Sequence, residues 1–254
     1  MKSLLKKIPL LKYAVIFIRI FSVKPNFFER LRAFIHFLLD YHLFKKSGKN
    51  KNYKLSTEDL FPRIYDKTTL TNIDPIYFLQ NTWCAKKIFE NKPTRHYDVG
   101  SQALMVGIIS QFVPTTMIDI RPLSISLQDL FFIKGSITEL PFRDNEITSL
   151  SSICVLEHIG LGRYGDPIDQ FGSEKSAKEL IRVLADNGNL YISVPVDTEN
   201  KIYFNAHRAF TRDYVLELFK PLKLVEEKYI YGNDLINDYS PTRGFGTGLY
   251  HLKK

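Results

Sequence analysis

The chain has few cysteines, and its longest apolar run is interrupted by charge. Only Cys84 and Cys154 occur among the 254 residues, both in apolar surroundings. They predict buried thiols in a reducing compartment, and not a disulfide framework or a metal site. No internal repeat or low-complexity tract is present. With 44% hydrophobic and 24% charged residues, the sequence predicts a globular chain with one large core, or one core and a small appendage.

Acidic residues are scarce in residues 1–54. This segment contains thirteen lysines and arginines and only two acids, which gives a net charge of +11. The other 200 residues carry 22 basic and 25 acidic side chains, a net charge of −3. A nucleic-acid footprint would extend over this larger part as well, so we expect no nucleic-acid partner. The charge division predicts a basic helical arm, residues 1–54, and a second domain, residues 55–254.

The arm predicts two helices and a linker. Residues 8–23 are apolar apart from Lys12 and Arg19, too short and too charged to span a bilayer. No small-residue cleavage site follows, so we do not expect a secretory signal. Residues 27–44 have an amphipathic helical pattern, and residues 45–52 resemble a solvated linker. The arm either lies on an anionic membrane at the cytoplasmic leaflet, or packs on the body or on a second subunit of a homo-oligomer.

A pair of acids indicates a nucleoside site. Asp98 closes the apolar run of residues 96–99, and Asp119 closes a second run 21 positions later. Between them, residues 103–109 are long enough for one helix. A strand–turn–helix–strand unit with a carboxylate at each strand tip is typical of a fold that holds adenosine. The Gly-x-Gly-x-x-Gly turn is absent, which argues against a nicotinamide-dependent dehydrogenase.

The rest of the chain continues the alternation of strands and helices. We predict helices over residues 74–90, 102–111, 174–184 and 211–219, and strands over 96–99, 116–120, 131–134, 147–155, 190–194, 222–231 and 249–252. Residues 232–246 are polar and contain glycine and asparagine, as a long loop does. Alternating elements predict a mostly parallel α/β sheet with right-handed crossovers, and the last strand can return antiparallel.

Over residues 74–254 these segments resemble the class I S-adenosylmethionine-dependent methyltransferases. The matching pieces are residues 98–101 (DVGS), Asp119, residues 135–142 (GSITELPF), residues 155–158 (VLEH) and residues 186–190 (DNGNL). The resemblance implies a Rossmann-like fold with a seven-stranded sheet and S-adenosylmethionine as cofactor. Residues 155–167 (VLEHIGLGRYGDP) and 204–208 (FNAHR) resemble an uncharacterised branch whose members often occur with bacterial surface-polysaccharide genes.

The resemblance and the chemistry together define a cofactor site. Gly100 lets the backbone approach the ligand, and Asp119 can accept both ribose hydroxyls. The region of Asp98 could help to satisfy the ammonium of the methionine moiety. The sequence departs from the family pattern at two places. Ser101 and Gln102 follow a single glycine where the first motif usually has two or three, and Ser136 stands where many relatives have an acid that accepts from the adenine amino group. The predicted cofactor residues are Asp98, Gly100, Ser101, Asp119, Ile120, Arg121, Ser136, Ile137, Val155 and Leu156.

Two histidines are candidates for the general base that a hydroxyl acceptor needs. His158 directly follows the fourth strand, at the carboxyl edge of the sheet, and His207 lies just past the fifth, in a loop that borders the acceptor in the family. Either ring could instead have only a structural role. Glu157 is predicted to be a buried partner for His158 or Arg163, because a carboxylate there needs a counter-charge. The predicted catalytic residues are His207, His158 and Glu157.

The glycine-rich segment 160–167 cannot form a regular helix and is predicted to reach the site. Arg163 and Arg208 could bind an anionic acceptor, such as a phosphate or carboxylate. A salt-bridged loop is the alternative. The predicted substrate-binding residues are Arg163, Tyr164, Asp166, Asn205 and Arg208.

The sequence thus predicts an enzyme that methylates a small-molecule or glycan acceptor. We expect O-methylation of a sugar, or of a phosphorylated or otherwise decorated glycan precursor, in capsule or lipopolysaccharide biosynthesis. The expected location is the cytoplasm, with peripheral contact at the inner face of the membrane. The alternative, from a different class, is a non-catalytic methyltransferase-like scaffold or binding module in a polysaccharide assembly complex.

Overall fold

The computed structural model describes residues 27–48 and 50–254, so the predicted apolar helix at residues 8–23 lies outside the described residues. The chain divides into two compact units after Asn72, whereas the charge pattern placed the boundary after residue 54. In the first unit, helix α1 (Phe27–Lys46) agrees with the predicted second helix and has no buried residue. Among the described residues, no helix is long and apolar enough to cross a membrane.

The second unit contains all the remaining helices and strands described. They are α2 (Pro75–Asn91), β1 (His96–Val99), α3 (Ala103–Ile109), β2 (Thr115–Asp119), β3 (Leu130–Lys134), β4 (Ile147–Ile153), α4 (Gly172–Val183), β5 (Leu184–Val196), β6 (Lys201–Tyr203), β7 (His207–Ala209), α5 (Arg212–Leu218), β8 (Lys223–Tyr231), β9 (Asp234–Ile236) and β10 (Gly246–Lys253). Two 3₁₀ turns, Leu156–His158 and Pro241–Arg243, complete the series.

Local sequence explains where the helices start. Asp74 caps α2, because its carboxylate accepts from the backbone N–H groups of Ile76 and Tyr77, and proline occupies the first helical position. Thr211 caps α5 in the same way, through the N–H of Tyr214. Each such cap contributes about 1 kcal/mol to helix stability.

Eight strands form one sheet, in the order β3-β2-β1-β4-β5-β10-β8-β9. Strands β1 to β5 are parallel, and β10 inserts antiparallel between β5 and β8. The predicted mostly parallel sheet with an antiparallel last strand is confirmed. The eighth strand, β9, pairs with β8 inside the segment predicted as a loop. β6 and β7 form a separate hairpin over residues also predicted as a loop.

Two hydrophobic clusters hold the helices on opposite faces of the sheet. Helices α2 and α3 pack through Trp83, Ile88 and Val106, and helices α4 and α5 through Leu180 and Val215, all nearly inaccessible to solvent. Each such side chain contributes about 2 kcal/mol through apolar burial. The three-layer arrangement leaves the carboxyl edge of the parallel strands as the natural place for a ligand.

Candidate active site

A cavity of about 680 Å³ opens at the carboxyl edge of the parallel strands, a size typical of small-ligand sites. Residues that follow β1, β2, β3 and β4 form its wall. Eight of the ten predicted cofactor residues line it: Gly100, Ser101, Asp119, Ile120, Arg121, Ser136, Ile137 and Val155. Of the other predicted site residues, His158, Tyr164 and Asp166 line it as well.

Asp98 is fully buried and does not line the cavity. Its carboxylate accepts from the backbone N–H of Ser101 at 3.0 Å and from the Ser101 hydroxyl at 2.6 Å, and the Ser151 hydroxyl donates to it as well. Burial raises its pKa to about 6, although these bonds oppose the shift. The side chain therefore fixes the turn after β1 from behind, and the structure does not bring it to a ligand ammonium.

Gly100 shapes this turn because of its backbone conformation. Its φ is +73°, and a Cβ there would lie 3.0 Å from Val155 Cγ1. Both the left-handed conformation and the close packing favour glycine. The backbone after β1 is thereby held against the start of the segment that follows β4.

Asp119 reaches the cavity wall from the tip of β2, with 8% of its surface exposed. Its Oδ1 accepts from the backbone N–H of Arg121 at 2.8 Å and from Nε of the same residue at 3.3 Å. Its Oδ2 accepts from Arg121 Nη2 at 3.3 Å. A carboxylate offers about four lone-pair positions, and these three bonds leave one on Oδ2 for a ribose hydroxyl. The guanidinium also lies 4.7 Å from the ring centre of Tyr164.

Ser136 occupies the cavity wall beyond β3. Its hydroxyl is 2.8 Å from the Thr138 hydroxyl and accepts from the Thr138 backbone N–H at 3.3 Å. A serine presents one oxygen where an acid would present two. Any hydrogen bond from this position to an adenine amino group is therefore weaker than a charge-assisted one.

His158 is held in one tautomer. Its Nδ1 lies 2.7 Å from the carbonyl oxygen of Ala206, and because a carbonyl can only accept, Nδ1 carries the proton. Burial lowers the pKa of the ring to about 4, so the ring is neutral near pH 7. Nε2 is then a hydrogen-bond acceptor, and it lies 3.8 Å from Oε1 of Glu157.

Glu157 is buried behind the cavity wall with 1% of its surface exposed. Burial raises its pKa to about 8, against smaller opposing effects of the Cys154 thiol and of Arg163. Its Oε2 has no hydrogen-bond partner in the described part of the chain. At neutral pH this side chain is mainly protonated.

His207 does not line the cavity. Its ring contacts Tyr203 and Phe245, with ring centres 5.0 and 5.5 Å apart. Burial, and then the charge of Arg163, lower its pKa. The ring is therefore part of an aromatic cluster that the β6–β7 hairpin forms with Phe245.

The segment 160–167 is organised by groups that were predicted to bind substrate. Asp166 accepts from the backbone N–H groups of Gly160 at 2.6 Å and Tyr164 at 3.3 Å. Arg208 is 6% exposed and donates to three backbone carbonyls, those of Ile159, Asp169 and Gln170. The structure thus commits the Arg208 guanidinium to the loop and does not bring it to the cavity.

The other predicted substrate-binding residues lie in different places. Arg163 donates to the Ala206 carbonyl at 3.0 Å and lies 5.1 Å from the ring centre of Tyr164. Asn205 is exposed at the hairpin turn with φ +66°, and Leu156 is buried away from the cavity. Tyr164 is thus flanked by two guanidiniums, of Arg121 and Arg163, at the cavity rim.

Sequence reasoning missed Tyr77, Gln80 and Cys154. Tyr77 and Cys154 line the cavity, and Gln80 bonds Cys154 from behind it. The available signals were the position of Cys154 directly after β4 and the spacing of three between Tyr77 and Gln80, which puts both on one helix face. A cysteine in an apolar run and a glutamine in a helix are too ordinary to draw attention alone.

Comparisons with known proteins agree with this architecture. Residues 142–234 match the family model described as "Caenorhabditis protein of unknown function, DUF268". No curated protein matches the chain. Among solved structures, the chain is similar to the N-methyltransferase NodS from Bradyrhizobium japonicum WM9, solved with S-adenosyl-L-homocysteine, at TM-score 0.52 and 13% identity, covering 76% of this chain and 91% of that one.

Two further structures extend the comparison. One is a Burkholderia thailandensis 1,6-didemethyltoxoflavin-N1-methyltransferase, with TM-score 0.51, 14% identity, and coverage of 69% of this chain and 78% of that one. The other is the [4+2]-cyclase SpnF, with TM-score 0.52, 13% identity, and coverage of 68% and 79%. The second unit therefore has the class I methyltransferase fold. A fold that also carries a cyclase does not by itself fix the reaction.

Proposed function

We propose that the protein is an S-adenosylmethionine-dependent O-methyltransferase. The observation that carries the proposal is the cavity at the carboxyl edge of the sheet, which brings together Gly100, Asp119 and Ser136 from the tips of three adjacent strands. These are the positions from which the fold holds a nucleoside.

The residues present fit such a cofactor. Asp119 would accept from a ribose hydroxyl, the backbone at Gly100 and Ser101 would face the methionine moiety, and Ser136 and Ile137 would border the adenine. When bound, S-adenosylmethionine supplies an electrophilic methyl group: the acceptor oxygen gains the new bond to carbon, the carbon–sulfur bond breaks with its electron pair on sulfur, and the hydroxyl proton goes to a base.

His158 is the base that the geometry favours over His207. It lines the cavity, its ring is neutral, and its Nε2 lacks a hydrogen because Nδ1 donates to Ala206. The low pKa keeps the ring unprotonated down to about pH 4, and it also makes the ring a weaker base than an ordinary histidine. The ring is a fixed acceptor that receives a proton without rotating first.

The finer assignment is a sugar hydroxyl of a glycan precursor in surface-polysaccharide biosynthesis. It is supported by the resemblance of residues 155–167 and 204–208 to a branch that often occurs with such genes. In the structure these two segments are in contact, through the bonds of His158 and Arg163 to the Ala206 carbonyl.

The basic arm supports a cytoplasmic location at an anionic membrane surface. In α1, large apolar side chains such as Phe28 and Phe44 are 78% and 64% exposed, and the helix ends at Lys45 and Lys46. Apolar insertion combined with lysine charge is how peripheral helices bind anionic lipid. The full chain should co-sediment with phosphatidylglycerol vesicles and not with phosphatidylcholine vesicles; equal recovery with both contradicts this role.

Titration calorimetry with S-adenosylhomocysteine tests the main proposal. We expect saturable binding by the wild type, and a loss of affinity of about 10- to 100-fold in Asp119→Asn, because charge-assisted hydrogen bonds are lost. Asp213→Asn, at a fully solvated acid on α5, is the matched control and should bind like the wild type. Absence of binding by the wild type would leave the non-catalytic scaffold, which the single-glycine turn and Ser136 favour.

A further inference from the structure

Four acidic residues line the cavity, and the carboxylates of three are bonded within the protein. Asp119 is bonded to Arg121, Asp166 to backbone N–H groups of its own loop, and Asp169 to a lysine Nζ at 2.6 Å. The fourth is Glu139, in the turn after β3. Its carboxylate has no hydrogen-bond or ion-pair partner among the described residues, so it is free to bind a ligand.

The backbone places Glu139 beside Ser136. The N–H of Glu139 donates to the Ser136 carbonyl at 3.1 Å, and the two residues form an antiparallel bridge. In such a bridge, directly opposed side chains lie on the same side, with Cβ atoms about 5 Å apart. Since Ser136 lines the cavity as well, the Glu139 side chain lies along the same wall.

The turn that contains Glu139 is fixed by its neighbours. Ile137 and Leu140 are 5% and 4% exposed, and the backbone N–H of Leu140 donates to a glutamate of α4 at 2.7 Å. A Cβ on Gly135 would lie 3.0 Å from an isoleucine side chain of β2, so the start of the turn packs closely on that strand. Glu139 therefore extends from a backbone that is held in position before a ligand binds.

Ser136 is the weaker acceptor of the two wall residues. Its hydroxyl lies 2.8 Å from the Thr138 hydroxyl and accepts from the Thr138 backbone N–H at 3.3 Å. Glu139 offers two carboxylate oxygens and a negative charge, and a hydrogen bond from an N–H group to a carboxylate is charge-assisted. A ligand that presents N–H donors at the tip of β3 therefore gains more from Glu139 than from Ser136.

The order of the strand tips indicates which part of the cofactor reaches Glu139. β1, β2 and β3 are neighbouring strands of the sheet, and Gly100, Asp119 and the turn after β3 follow their ends. With the methionine moiety at Gly100 and the ribose at Asp119, the base extends toward β3, where Ile120 and Ile137 supply apolar surface. Adenine has an exocyclic amino group with two N–H donors. That group is the donor that the free carboxylate can bind.

We propose that Glu139 selects adenine in the cofactor by accepting a hydrogen bond from its exocyclic amino group. The proposal rests on the proposed function and deepens it. Hypoxanthine has a carbonyl oxygen in place of this amino group. A carboxylate and a carbonyl oxygen are both acceptors and repel each other, so the same side chain that binds adenine disfavours hypoxanthine.

Calorimetric titration with two ligands tests the assignment. S-adenosylhomocysteine and S-inosylhomocysteine differ in the base only, as adenine and hypoxanthine do. We expect the wild type to prefer the adenosyl compound by about 10- to 100-fold, the effect of one charge-assisted hydrogen bond. Glu139→Gln should reduce this preference to about threefold or less, because an amide can also donate to the carbonyl oxygen. Glu217→Gln, at an exposed acid on α5, is the matched control and should keep the wild-type preference.

The ratio of the two affinities separates recognition from folding, because a general loss of structure weakens the binding of both ligands together. An unchanged ratio in Glu139→Gln overturns the assignment, as does equal affinity for both ligands in the wild type. A larger loss of preference in Ser136→Ala than in Glu139→Gln would assign the amino group to Ser136 instead. Absence of S-adenosylhomocysteine binding by the wild type would overturn the proposed function itself.

Discussion

The two ends of the cavity differ in how their polar groups are paired. Around β1 and β2, Asp98 and Asp119 are both bonded within the protein, to Ser101 and Ser151 and to Arg121 respectively. Around β4, Gln80 and Glu157 each keep one unpaired atom in the described structure. The carboxylates at the first end are thus held in place by the protein, whereas two buried side chains near the second keep polar atoms without a partner among the described residues. The difference shows that bonds within the protein fix the side chains at the β1 and β2 end more fully than those near β4.

The largest expected effect separates the two histidines. His158→Ala should lower kcat by about 100-fold or more, the usual contribution of a general base, because no other neutral imidazole faces the cavity among the described residues. His207→Ala should cost much less, because it removes an aromatic contact outside the cavity. Steady-state kinetics that follow the transfer of a labelled methyl group from S-adenosylmethionine measure kcat in both variants. A greater loss in His207→Ala would reverse the assignment.

A smaller effect concerns the contribution of Glu157, which follows β4, to the free energy of unfolding. Because the folded-state pKa of Glu157 is raised to about 8, above its ordinary value of 4.5, the folded protein binds the proton more tightly than the unfolded chain. This contribution is fully present below about pH 4.5 and is lost as pH rises toward 8, at no more than about 1.4 kcal/mol per pH unit.

Glu157→Gln should therefore flatten the pH dependence of the free energy of unfolding between about pH 5 and pH 8. Denaturant titrations at several pH values measure it, with Glu199→Gln, at an exposed acid, as the matched control. Asp98 has the same sign of shift but is present in both proteins, and its contribution ends near its pKa of about 6. An unchanged slope in Glu157→Gln above pH 6 would show that Glu157 is ionised in the folded protein.

The sequence predicted the parallel strands β1 to β5 well, because an apolar run that ends in an acid or a glycine identifies a strand and its end from neighbouring residues alone. Asp74 and Thr211 also predicted the starts of their helices correctly. The β6–β7 hairpin and β9 were missed, because each strand is three residues long and its pairing depends on tertiary contacts. The roles of Arg208 and Asp166 could not be read from residue type, since a guanidinium can donate to backbone carbonyls and a carboxylate can accept from backbone N–H groups as well as bind a ligand.

The three bonds from Arg208 have a consequence for how the acceptor could change during evolution. They join the hairpin that contains Arg208 to carbonyls at Ile159, Asp169 and Gln170, about forty residues earlier in the chain. A replacement of residues 160–167 that displaced this flanking backbone would leave the buried guanidinium of Arg208 without its acceptors. Residues 159–170 and the hairpin that contains Arg208 are therefore structurally coupled. A chimaera that replaces one of them has to replace the other as well.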